Sequence, residues 1–564
     1  MSSLGVEESD WLRFFGRATV EDHGDVALPC HPLSSILRRS PIEIADEICK
    51  LVGGQLEEIA HISSSSGFVN LKAKPSWISS RLSKLQGDPR IGVGLDKGLT
   101  YAVDYSAPNV AKEMHVGHLR STVIGDTIVR MLEFKGHTVI RENHVGDWGT
   151  PFGMLIEHLL DLGEDKAANE LGVGDLDSFY KQAREKFVSN DDFADKSRKR
   201  VVQLQSGDKE TLRLWGVLVD ESMRYFNEVY SMLGVLLNDG DIRGESSYQD
   251  LLPIVVERLS EEGILENSEG ADVVFPGGWI NREGDPLPMI IRKADGGYNY
   301  STSDLACIID RVERLHCDGF LYVVGTPQKQ HFEMVFQVAR QAGFMSDSHH
   351  AVHVNFGSVL GTDGKVLKSR EGDVIKLHDL LKESIKRADE AVREKNPNLS
   401  AREREGVARE VGIGAVKYAD LSTERTKDYI FDWERMLSFE GNTAPYLQYA
   451  FARICSIFRK WGGRRNEILE SEFILNHPDE IYLSRKLVDF PSILEDSINS
   501  FSPHKLCTHL HSIASSFASF YENCKVLNSG DQKSINSRLA LCDLTARQLE
   551  LGLGLLGIGN PERM

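Results

Sequence analysis

The chain has 564 residues, which predicts several domains at roughly 100–200 residues each. A net charge of −19 argues against a protein held to nucleic acid by bulk positive charge, although local basic patches at 196–200 and 459–465 could still contact a polyanion. No stretch approaches the ~20 apolar residues of a membrane span. The eight cysteines lack metal-ligand spacing, and the acidic N-terminus does not resemble a targeting presequence. We therefore expect a cytoplasmic protein, with an organellar pool possible only if a presequence has been removed.

The first predicted domain comprises residues 1–95. An amphipathic helical pattern begins at Pro41, and residues 67–72 alternate apolar and polar side chains, as a half-buried strand does. The break at Gly87-Asp88-Pro89 ends this region. The pattern predicts a small α/β domain ahead of the main body.

A second domain, residues 96–375, begins with a β-α-β pattern. A strand from Thr100 to Tyr105, a helix at 119–134 and a strand at 138–141 follow one another, so parallel pairing is expected. Residues 160–290 are mostly helical and charged and interrupt this alternation of strands and helices. The alternation resumes with helices and strands at 302–316, 319–325, 331–343 and 351–356. The pattern predicts a Rossmann-type parallel sheet split by an insertion.

The remainder of the chain is predicted to be helical. Residues 376–440 form a connecting region, and residues 441–564 carry long amphipathic helices with few strand signals. The expected fold is therefore a multidomain α/β protein with an all-α C-terminal bundle.

His115-Val116-Gly117-His118 follows the first strand of the predicted sheet and a short loop, and it opens the helix. Unpaired N–H groups and the positive end of the helix dipole make such a helix start an anion site. Histidines three residues apart share one face of the turn, and Gly117 allows a ligand to approach the backbone. The arrangement favours a phosphate site, although two solvated histidines would also fit the tetrapeptide alone.

Asp363-Gly364 predicts a tight turn that leads into three cations, Lys365, Lys368 and Arg370. A basic loop of this kind is suited to closing over a polyphosphate. An exposed basic hairpin would explain the segment if it stood alone. Its order after the histidine motif, within one split sheet, favours two halves of a nucleotide site.

These two motifs resemble the HIGH and KMSKS signatures of class I aminoacyl-tRNA synthetases. Wider segments resemble the arginyl-tRNA synthetase family. They are 104–112 (DYSAPNVAK), 143–149 (NHVGDWG), 412–421 (GIGAVKYADL), 442–449 (NTAPYLQY) and 562–564 (ERM). The resemblance spans nearly the whole chain and includes an N-terminal domain that other class I enzymes do not share.

The resemblance implies an ATP-dependent arginine–tRNA ligase of translation. The carboxylate of L-arginine would attack the α-phosphate of ATP, release pyrophosphate, and leave an arginyl group for transfer to the terminal adenosine of tRNA-Arg. His115, His118 and the backbone beside Gly117 would bind ATP and stabilise the developing charge. Mg²⁺ is expected to arrive with ATP, without a dedicated metal site on the protein.

The basic loop departs from the family pattern. Lys365, Lys368 and Arg370 would contribute to catalysis, but Ser369 stands where the signature carries its second lysine. Lys112, three residues before the histidine motif, is the candidate that supplies the missing charge. An ordinary surface lysine is the alternative.

Arginine recognition requires carboxylates, because a guanidinium is planar and permanently charged. By resemblance, the guanidinium site comprises Glu245, Tyr300 and Asp304; the spacing of the last two places them on one side of a helix start. Asp304 could instead be a helix N-cap. The amino-acid head group would contact Asp104, Asn109 and Gln328.

For tRNA, the resemblance implies anticodon recognition by the C-terminal helices and contact between the N-terminal domain and the tRNA elbow. Tyr446, Tyr449 and Arg453 share one helix face, which suits base stacking with a cationic partner. An aromatic stripe could equally belong to the core. Tyr521 and Met564 are further candidates by resemblance. A monomer is expected.

Three rival interpretations remain at this stage. A cysteinyl-tRNA synthetase would carry zinc-binding cysteines and histidine in its catalytic half, which have no counterpart here. A small-molecule adenylyltransferase would be a single compact domain, without the helical region at 441–564. A non-catalytic RNA-binding relative would not need His115, His118, Asp304 and Lys112 together.

Overall fold

The computed structural model describes residues 14–17, 24–149, 151–163, 176–367, 375–528 and 530–564. The chain divides into two compact units. The first comprises Met1–Val93, Ile454–Ser492 and Ser512–Leu549, and the second comprises Gly94–Arg453, Ile493–His511 and Glu550–Met564. Within the described ranges, no helix combines the length and the apolar character needed to cross a bilayer.

The N-terminal part of the first unit contains a four-stranded antiparallel sheet with the order β1-β2-β4-β3. Its strands are β1 (Gly16–Arg17), β2 (Val26–Pro29), β3 (Ala60–Ser65) and β4 (Phe68–Ala73), and its helices are α1 (His31–Leu37), α2 (Pro41–Leu56) and α3 (Pro75–Gly87). Each helix has a proline in its first turn, where the missing N–H costs no hydrogen bond. Leu28, Ile44, Ile48 and Val69 pack between helices and sheet. The small α/β domain expected from the sequence is confirmed.

The second unit opens with the predicted β-α-β arrangement. Its elements are β5 (Thr100–Asp104), α4 (Val116–Lys135) and β6 (Thr138–Glu142), and β5 pairs in parallel with β6. Gly136 adopts φ 97° and ends α4, a conformation that favours glycine. Gly125 lies against the ring of Tyr105, where an added Cβ would come within 2.3 Å of the tyrosine Cβ. Helix and sheet therefore pack closely just behind the histidine motif.

The region between the two halves of the sheet contains a helical group and a small antiparallel sheet. The helices are α5 (Pro151–Leu162), α6 (Leu176–Ser189), α7 (Asp191–Gln205), α8 (Lys209–Leu233) and α9 (Leu252–Glu261). The strands are β7 (Glu266–Ser268), β8 (Ala271–Val274) and β9 (Met289–Arg292). Residues of α5, α6 and α8, among them Phe152, Phe179 and Leu214, share a core with Val110 and Ala111. The helical group is thus packed directly on the loop that precedes the histidine motif.

The parallel sheet resumes after this insertion. The elements are α10 (Tyr300–Glu313), β10 (Gly319–Tyr322), α11 (Lys329–Gln341) and β11 (His350–His353). The strand order is β11-β10-β5-β6, with all neighbours parallel. Asp104 lies opposite Tyr322 on one side and Glu142 on the other, so the carboxyl ends of the central strands are aligned. The predicted split parallel sheet is confirmed.

The rest of the second unit begins with a short parallel strand pair and three helices. These are β12 (Val359–Leu360), α12 (Leu377–Lys395), α13 (Ala401–Leu421), β13 (Tyr429–Ile430) and α14 (Trp433–Met436). Ser400 and Glu403 form a capping box at the start of α13. The chain ends in four long helices, α15 (Ala444–Trp461), α16 (Pro478–Asn499), α17 (Pro503–Asn523) and α18 (Gln532–Leu555). The predicted helical C-terminal region is confirmed.

His158 on α5 is fully buried, and neither ring nitrogen has a hydrogen-bond partner among the described residues. Burial, followed by the charge of Lys186, lowers its pKa to about 4. The unfolded chain therefore binds more protons than the folded one as the pH falls from about 6.5 towards 4, and stability falls with it. His158→Leu should reduce the loss of apparent Tm across this window, measured by thermal unfolding at several pH values. An equal acid-dependent loss in His158→Leu and in the exposed control His61→Leu would contradict this expectation.

Candidate functional site

The two motif histidines form a capping box at the start of α4. The Gly117 N–H donates to His115 Nδ1 at 3.0 Å, and the His115 N–H donates to His118 Nδ1 at 3.1 Å. The ring centroids lie 4.0 Å apart. In a neutral imidazole whose Nδ1 accepts a hydrogen bond, the proton is on Nε2. Each histidine therefore presents an Nε2–H donor, and the backbone fixes the tautomer.

The environment keeps both rings neutral at physiological pH. Burial lowers the pKa of His118 to about 3, with smaller contributions from His115 and Lys112. The pKa of His115 is also lowered, first by burial, with Lys112 acting in the same direction. Gly117 is exposed, and a Cβ at this position would lie 2.8 Å from His115 Cε1. The Gly117 N–H is donated to His115 Nδ1 and the Val116 N–H to the Ile375 carbonyl, so the unpaired N–H groups expected at this helix start are not found. What the helix start offers a phosphate group is the pair of neutral Nε2–H donors and the space beside the exposed Gly117.

The loop from Ser106 to Lys112 has a constrained backbone. Ser106, Ala107 and Ala111 adopt positive φ angles of 75°, 47° and 59°, which disfavour residues with a Cβ. Buried side chains hold the strained positions. Asn143 Oδ1 accepts the Ala107 N–H at 3.1 Å, and Ser222 Oγ accepts the Ala111 N–H at 2.9 Å. These left-handed residues could not be predicted from the sequence, because none is a glycine.

This loop presents Asn109 and Lys112 to the site. Asn109 is exposed and pairs through its backbone with Gly146, and its Oδ1 occupies the space where a Gly146 Cβ would stand. Lys112 is half-buried, with Nζ 4.5 Å from the ring centroid of Tyr180. Its positive charge is one of the smaller causes of the lowered pKa of both motif histidines. Lys112 and the histidine pair flank the same short segment, 112–118, and a shared role stays a prediction.

Lys365, the first cation of the basic loop, lies on a hairpin. The Gly361 N–H donates to the Lys365 carbonyl at 2.7 Å, and Gly364 at the turn has φ 73°. Lys365 is exposed. Lys368, Ser369 and Arg370 lie outside the described residues.

The segment that follows the loop pairs with the start of α4. The Val116 N–H donates to the Ile375 carbonyl at 3.2 Å, and the Leu377 N–H donates to the Met114 carbonyl at 2.8 Å. Lys376 Nζ lies 2.8 Å from Oε2 of the buried Glu113. Residues 375–377 therefore pair with the histidine motif, a contact that sequence reasoning missed because the two segments lie far apart in the sequence.

Tyr300 and Asp304 meet at His331, which the sequence did not identify. His331 Nε2 lies 2.5 Å from Asp304 Oδ2, and its ring centroid is 4.8 Å from that of Tyr300. The N-cap of α10 is Asn299, whose side chain accepts the Tyr300 N–H. Asp304 is therefore not a helix cap, and its carboxylate faces the same space as the exposed Tyr300 ring.

Glu245 lies near two other carboxylates. Its pKa is raised, first by burial and then by Asp147 and Asp304, while His144 opposes the shift. Asp147 accepts the Ser246 N–H at 2.9 Å, and burial raises its pKa as well. A cation placed among these groups would relieve the unfavourable charge, so the cluster suits a guanidinium. Asp147 and His144 were missed as site residues, although both lie in the 143–149 segment.

Asp104 is placed differently from the head-group contact that the sequence suggested. Its Oδ2 accepts from Arg311 Nη2 at 2.7 Å, and the same guanidinium donates to Glu142 Oε2 at 2.5 Å. Arg311 is completely buried. The contact uses Asp104 Oδ2 and joins the ends of β5 and β6 through Arg311, so a ligand would contact Asp104 through Oδ1, and its role in binding the head group stays a prediction. Gln328 is exposed at the start of α11, where a ligand can reach it.

The candidate tRNA-binding side chains of α15 are half-buried and lie beside the helix's buried face. Arg453 stacks 5.0 Å above the ring of Tyr449 and donates to its hydroxyl at 3.0 Å. Tyr446 lies 5.5 Å from the ring of His511. The residues between them, such as Leu447 and Ala450, are buried. The stripe is therefore partly exposed, and its role in binding tRNA stays a prediction.

The two remaining tRNA candidates lie on other elements. Tyr521 on α17 is 36% exposed and stacks on Phe517. Met564 packs near Val392 and Val407, and its carbonyl accepts from Asn396 Nδ2 at 3.0 Å. Met564 is thus held against α12 and α13.

The split parallel sheet, the histidines at its first crossover helix and the basic hairpin after its last strand define the catalytic fold of class I aminoacyl-tRNA synthetases. Three family descriptions match the chain. They are "tRNA synthetases class I (R), catalytic domain" at residues 84–433, "DALR anticodon binding domain" at 447–564 and "Arginyl tRNA synthetase N terminal domain" at 15–73.

Full-length relatives agree with these matches. The arginine–tRNA ligase of Thermobifida fusca is 48% identical over 94% of this chain and 92% of its own, and that of Shewanella woodyi is 46% identical over 97% and 94%. The crystal structure of arginyl-tRNA synthetase from Plasmodium falciparum superposes with a TM-score of 0.77 at 28% identity, covering 98% of this chain and 94% of that one. The Thermus thermophilus enzyme has the same fold, with a TM-score of 0.81 at 23% identity over 98% and 96%. This chain belongs to the arginyl-tRNA synthetase family.

Proposed function

We propose that this chain attaches L-arginine to tRNA-Arg in two ATP-dependent steps. The observation that carries the proposal is the pair of capped, neutral histidines beside a carboxylate cluster within a chain 48% identical to an arginine–tRNA ligase. This family membership excludes the cysteinyl and small-molecule rivals. Arginine-dependent aminoacylation by the pure protein would also distinguish it from a non-catalytic RNA-binding relative.

In the first step, a carboxylate oxygen of arginine bonds to the α-phosphorus of ATP. The bond from that phosphorus to the bridging oxygen breaks, and pyrophosphate leaves with the electron pair. The Nε2–H donors of His115 and His118 stabilise the charge that develops on the phosphates, and the missing side chain of Gly117 leaves room for the phosphates beside the helix start. ATP enters as its Mg²⁺ complex, and Lys365, Lys368 and Arg370 provide further positive charge.

Arginine lies with its guanidinium towards Glu245 and Asp304. The Asp304 and Asp147 carboxylates both raise the pKa of Glu245, so a guanidinium placed among them would be stabilised. Tyr300 covers the same pocket, while Asn109 and Gln328 contact the amino-acid head group. In the second step, a ribose hydroxyl of the terminal adenosine attacks the arginyl carbonyl, and AMP leaves.

The tRNA binds along the helical C-terminal region. Tyr446, Tyr449 and Arg453 supply stacking and charge to anticodon bases, with Tyr521 and Met564 as further contacts. The N-terminal domain, residues 1–95, contacts the tRNA elbow, and the catalytic domain spans residues 96–375. We also propose that the enzyme is a cytoplasmic monomer.

Aminoacylation of total tRNA with each of the twenty labelled amino acids tests this function. We expect acid-precipitable product with arginine alone, and none when periodate has oxidised the tRNA termini. Charging with a different amino acid, or no charging with arginine, would overturn the proposal.

Lys112→Ala tests the substitute-lysine hypothesis. Because Ser369 replaces the second lysine of the signature, loss of the Lys112 charge should lower kcat/KM for ATP by about 10- to 100-fold, as expected for one charge-assisted contact of ~1.5–3 kcal/mol. The KM for arginine should be little affected. The control is Lys181→Ala, which removes a charge from α6 outside the loop. Steady-state aminoacylation with varied ATP provides the measurement, and equal kinetics in the two variants would contradict the role.

A further inference from the structure

Helix α6, from the insertion, makes three kinds of contact with the loop that leads into the histidine motif. Leu176 and Phe179 share a buried core with Val110 and Ala111. Asp177 Oδ1 accepts the Glu113 N–H at 3.2 Å. Tyr180, next to the buried Phe179, faces Lys112 with its ring centroid 4.5 Å from Nζ. The helix is therefore fixed to both sides of Lys112, and Tyr180 is the residue that contacts its ammonium group.

We propose that Tyr180 is a positioning residue for ATP activation, whose ring face holds the Lys112 ammonium beside His115 and His118. This inference rests on the proposed role of Lys112. Tyr180 acts through that lysine and need not touch the nucleotide.

The physical argument begins with the lysine side chain. A lysine has four rotatable bonds and a compact charge, so without a partner it samples many positions. The electron-rich face of an aromatic ring attracts an ammonium at this distance. Packing in turn holds Tyr180, because the neighbouring Phe179 is 1% exposed in the shared core. One face of the ammonium therefore lies against the ring, and the half-buried side chain remains accessible to a phosphate.

The proposal gives the hydroxyl group no part in the contact. Phenylalanine retains the ring face, whereas leucine retains apolar volume without a π-system. Tyr180→Phe should therefore keep kcat/KM for ATP within about 2-fold of the wild type, and Tyr180→Leu should lower it by about 3- to 10-fold, the range of a partly solvated cation–π contact. The KM for arginine should not change in either variant.

A double-mutant cycle separates positioning of Lys112 from general support of the fold. Tyr180→Leu, Lys112→Ala and the combined variant are compared in tRNA-supported ATP–pyrophosphate exchange, with Tm measured for each. If Tyr180 acts through Lys112, adding Tyr180→Leu to Lys112→Ala causes no further loss. If Tyr180→Leu lowers Tm, Tyr180→Met, which keeps an unbranched apolar side chain, replaces it in the cycle.

The outcomes distinguish this inference from the function on which it rests. Wild-type kinetics in Lys112→Ala would remove Lys112 from the site and overturn both. A loss in Lys112→Ala together with full activity in Tyr180→Leu would overturn the positioning role alone. Additive losses in the combined variant, or equal losses in Tyr180→Phe and Tyr180→Leu, would also overturn the positioning role. A Tyr180→Leu enzyme faster than the wild type would overturn it too, because it would show that the ring keeps the lysine away from ATP.

Discussion

His118→Ala is expected to lower kcat for arginine activation by about 10²–10³-fold, the loss typical of one donor that acts mainly in the transition state. The His118 ring is neutral because burial lowers its pKa to about 3, and its Nδ1 is used by the His115 N–H, so only the Nε2–H is available to a ligand. The KM for arginine should change little, because the pocket residues lie on other elements. ATP–pyrophosphate exchange in the presence of tRNA gives both parameters.

The same substitution also removes a helix cap, which requires a control. Glutamine and glutamate at this helix position both accept the N-cap N–H in capping boxes, but only glutamine also donates a hydrogen bond. His118→Gln should therefore keep the Tm and recover part of the activity, whereas His118→Glu should keep the Tm and remain inactive. A kcat within a few-fold of the wild type in His118→Ala would exclude His118 from the chemistry.

Asp304→Asn is expected to raise the KM for arginine by about 10²-fold. The reason is that the pair of Asp304 and the substrate guanidinium is largely desolvated, and making one charged partner of such a pair neutral costs ~3 kcal/mol. Asn can still accept from His331, so the local packing should survive. ATP affinity should be nearly unaltered. Steady-state aminoacylation with arginine varied at saturating ATP and tRNA measures the effect.

Asp310 on the same helix provides the matched control. It pairs with Arg314 at 2.6 Å at the other end of α10, so Asp310→Asn removes an equivalent charge outside the pocket. The KM for arginine should stay at the wild-type value in this variant. An unchanged KM in Asp304→Asn, or an equal rise in both variants, would remove Asp304 from the arginine site.

The elements of the fold followed from local patterns, since hydrophobic periodicity marks each helix and strand independently of its neighbours. The confirmed split sheet shows this, because its two halves each carry the β-α rhythm. The histidine motif was predicted to open α4, and the helix begins at Val116 with His115 as its N-cap, but the cap itself was not predicted. Histidine is an uncommon cap, and its capping box depends on ring geometry that residue type alone does not predict.

The contacts that shape the site were less accessible from the sequence. His331 reaches Asp304 across 27 residues, and Arg311 reaches Asp104 across 207, so no periodic pattern links them. Asp104 illustrates the consequence, since its contact with the buried Arg311 could not be predicted from its position at a strand end. The left-handed Ala107 and Ala111 were hidden for a similar reason, because distant side chains stabilise them.

The family resemblance supplied what local patterns could not. It named Lys112, Glu245 and Tyr300, and the structure places each beside other charged or aromatic groups of the site. It did not name Tyr180, His331 or Asp147. Tyr180 and His331 lie outside the segments that carry the resemblance, and Asp147 lies within one of them, at 143–149, without being named as a site residue.

ATP–pyrophosphate exchange with each amino acid, with and without tRNA-Arg, tests the central claim most directly. The proposed carboxylate pocket would select a guanidinium, and the family resemblance implies that tRNA must be bound for activation. We therefore predict exchange with arginine alone, and only when tRNA-Arg is present. Exchange supported by another amino acid, or none with arginine and tRNA together, would contradict the assignment.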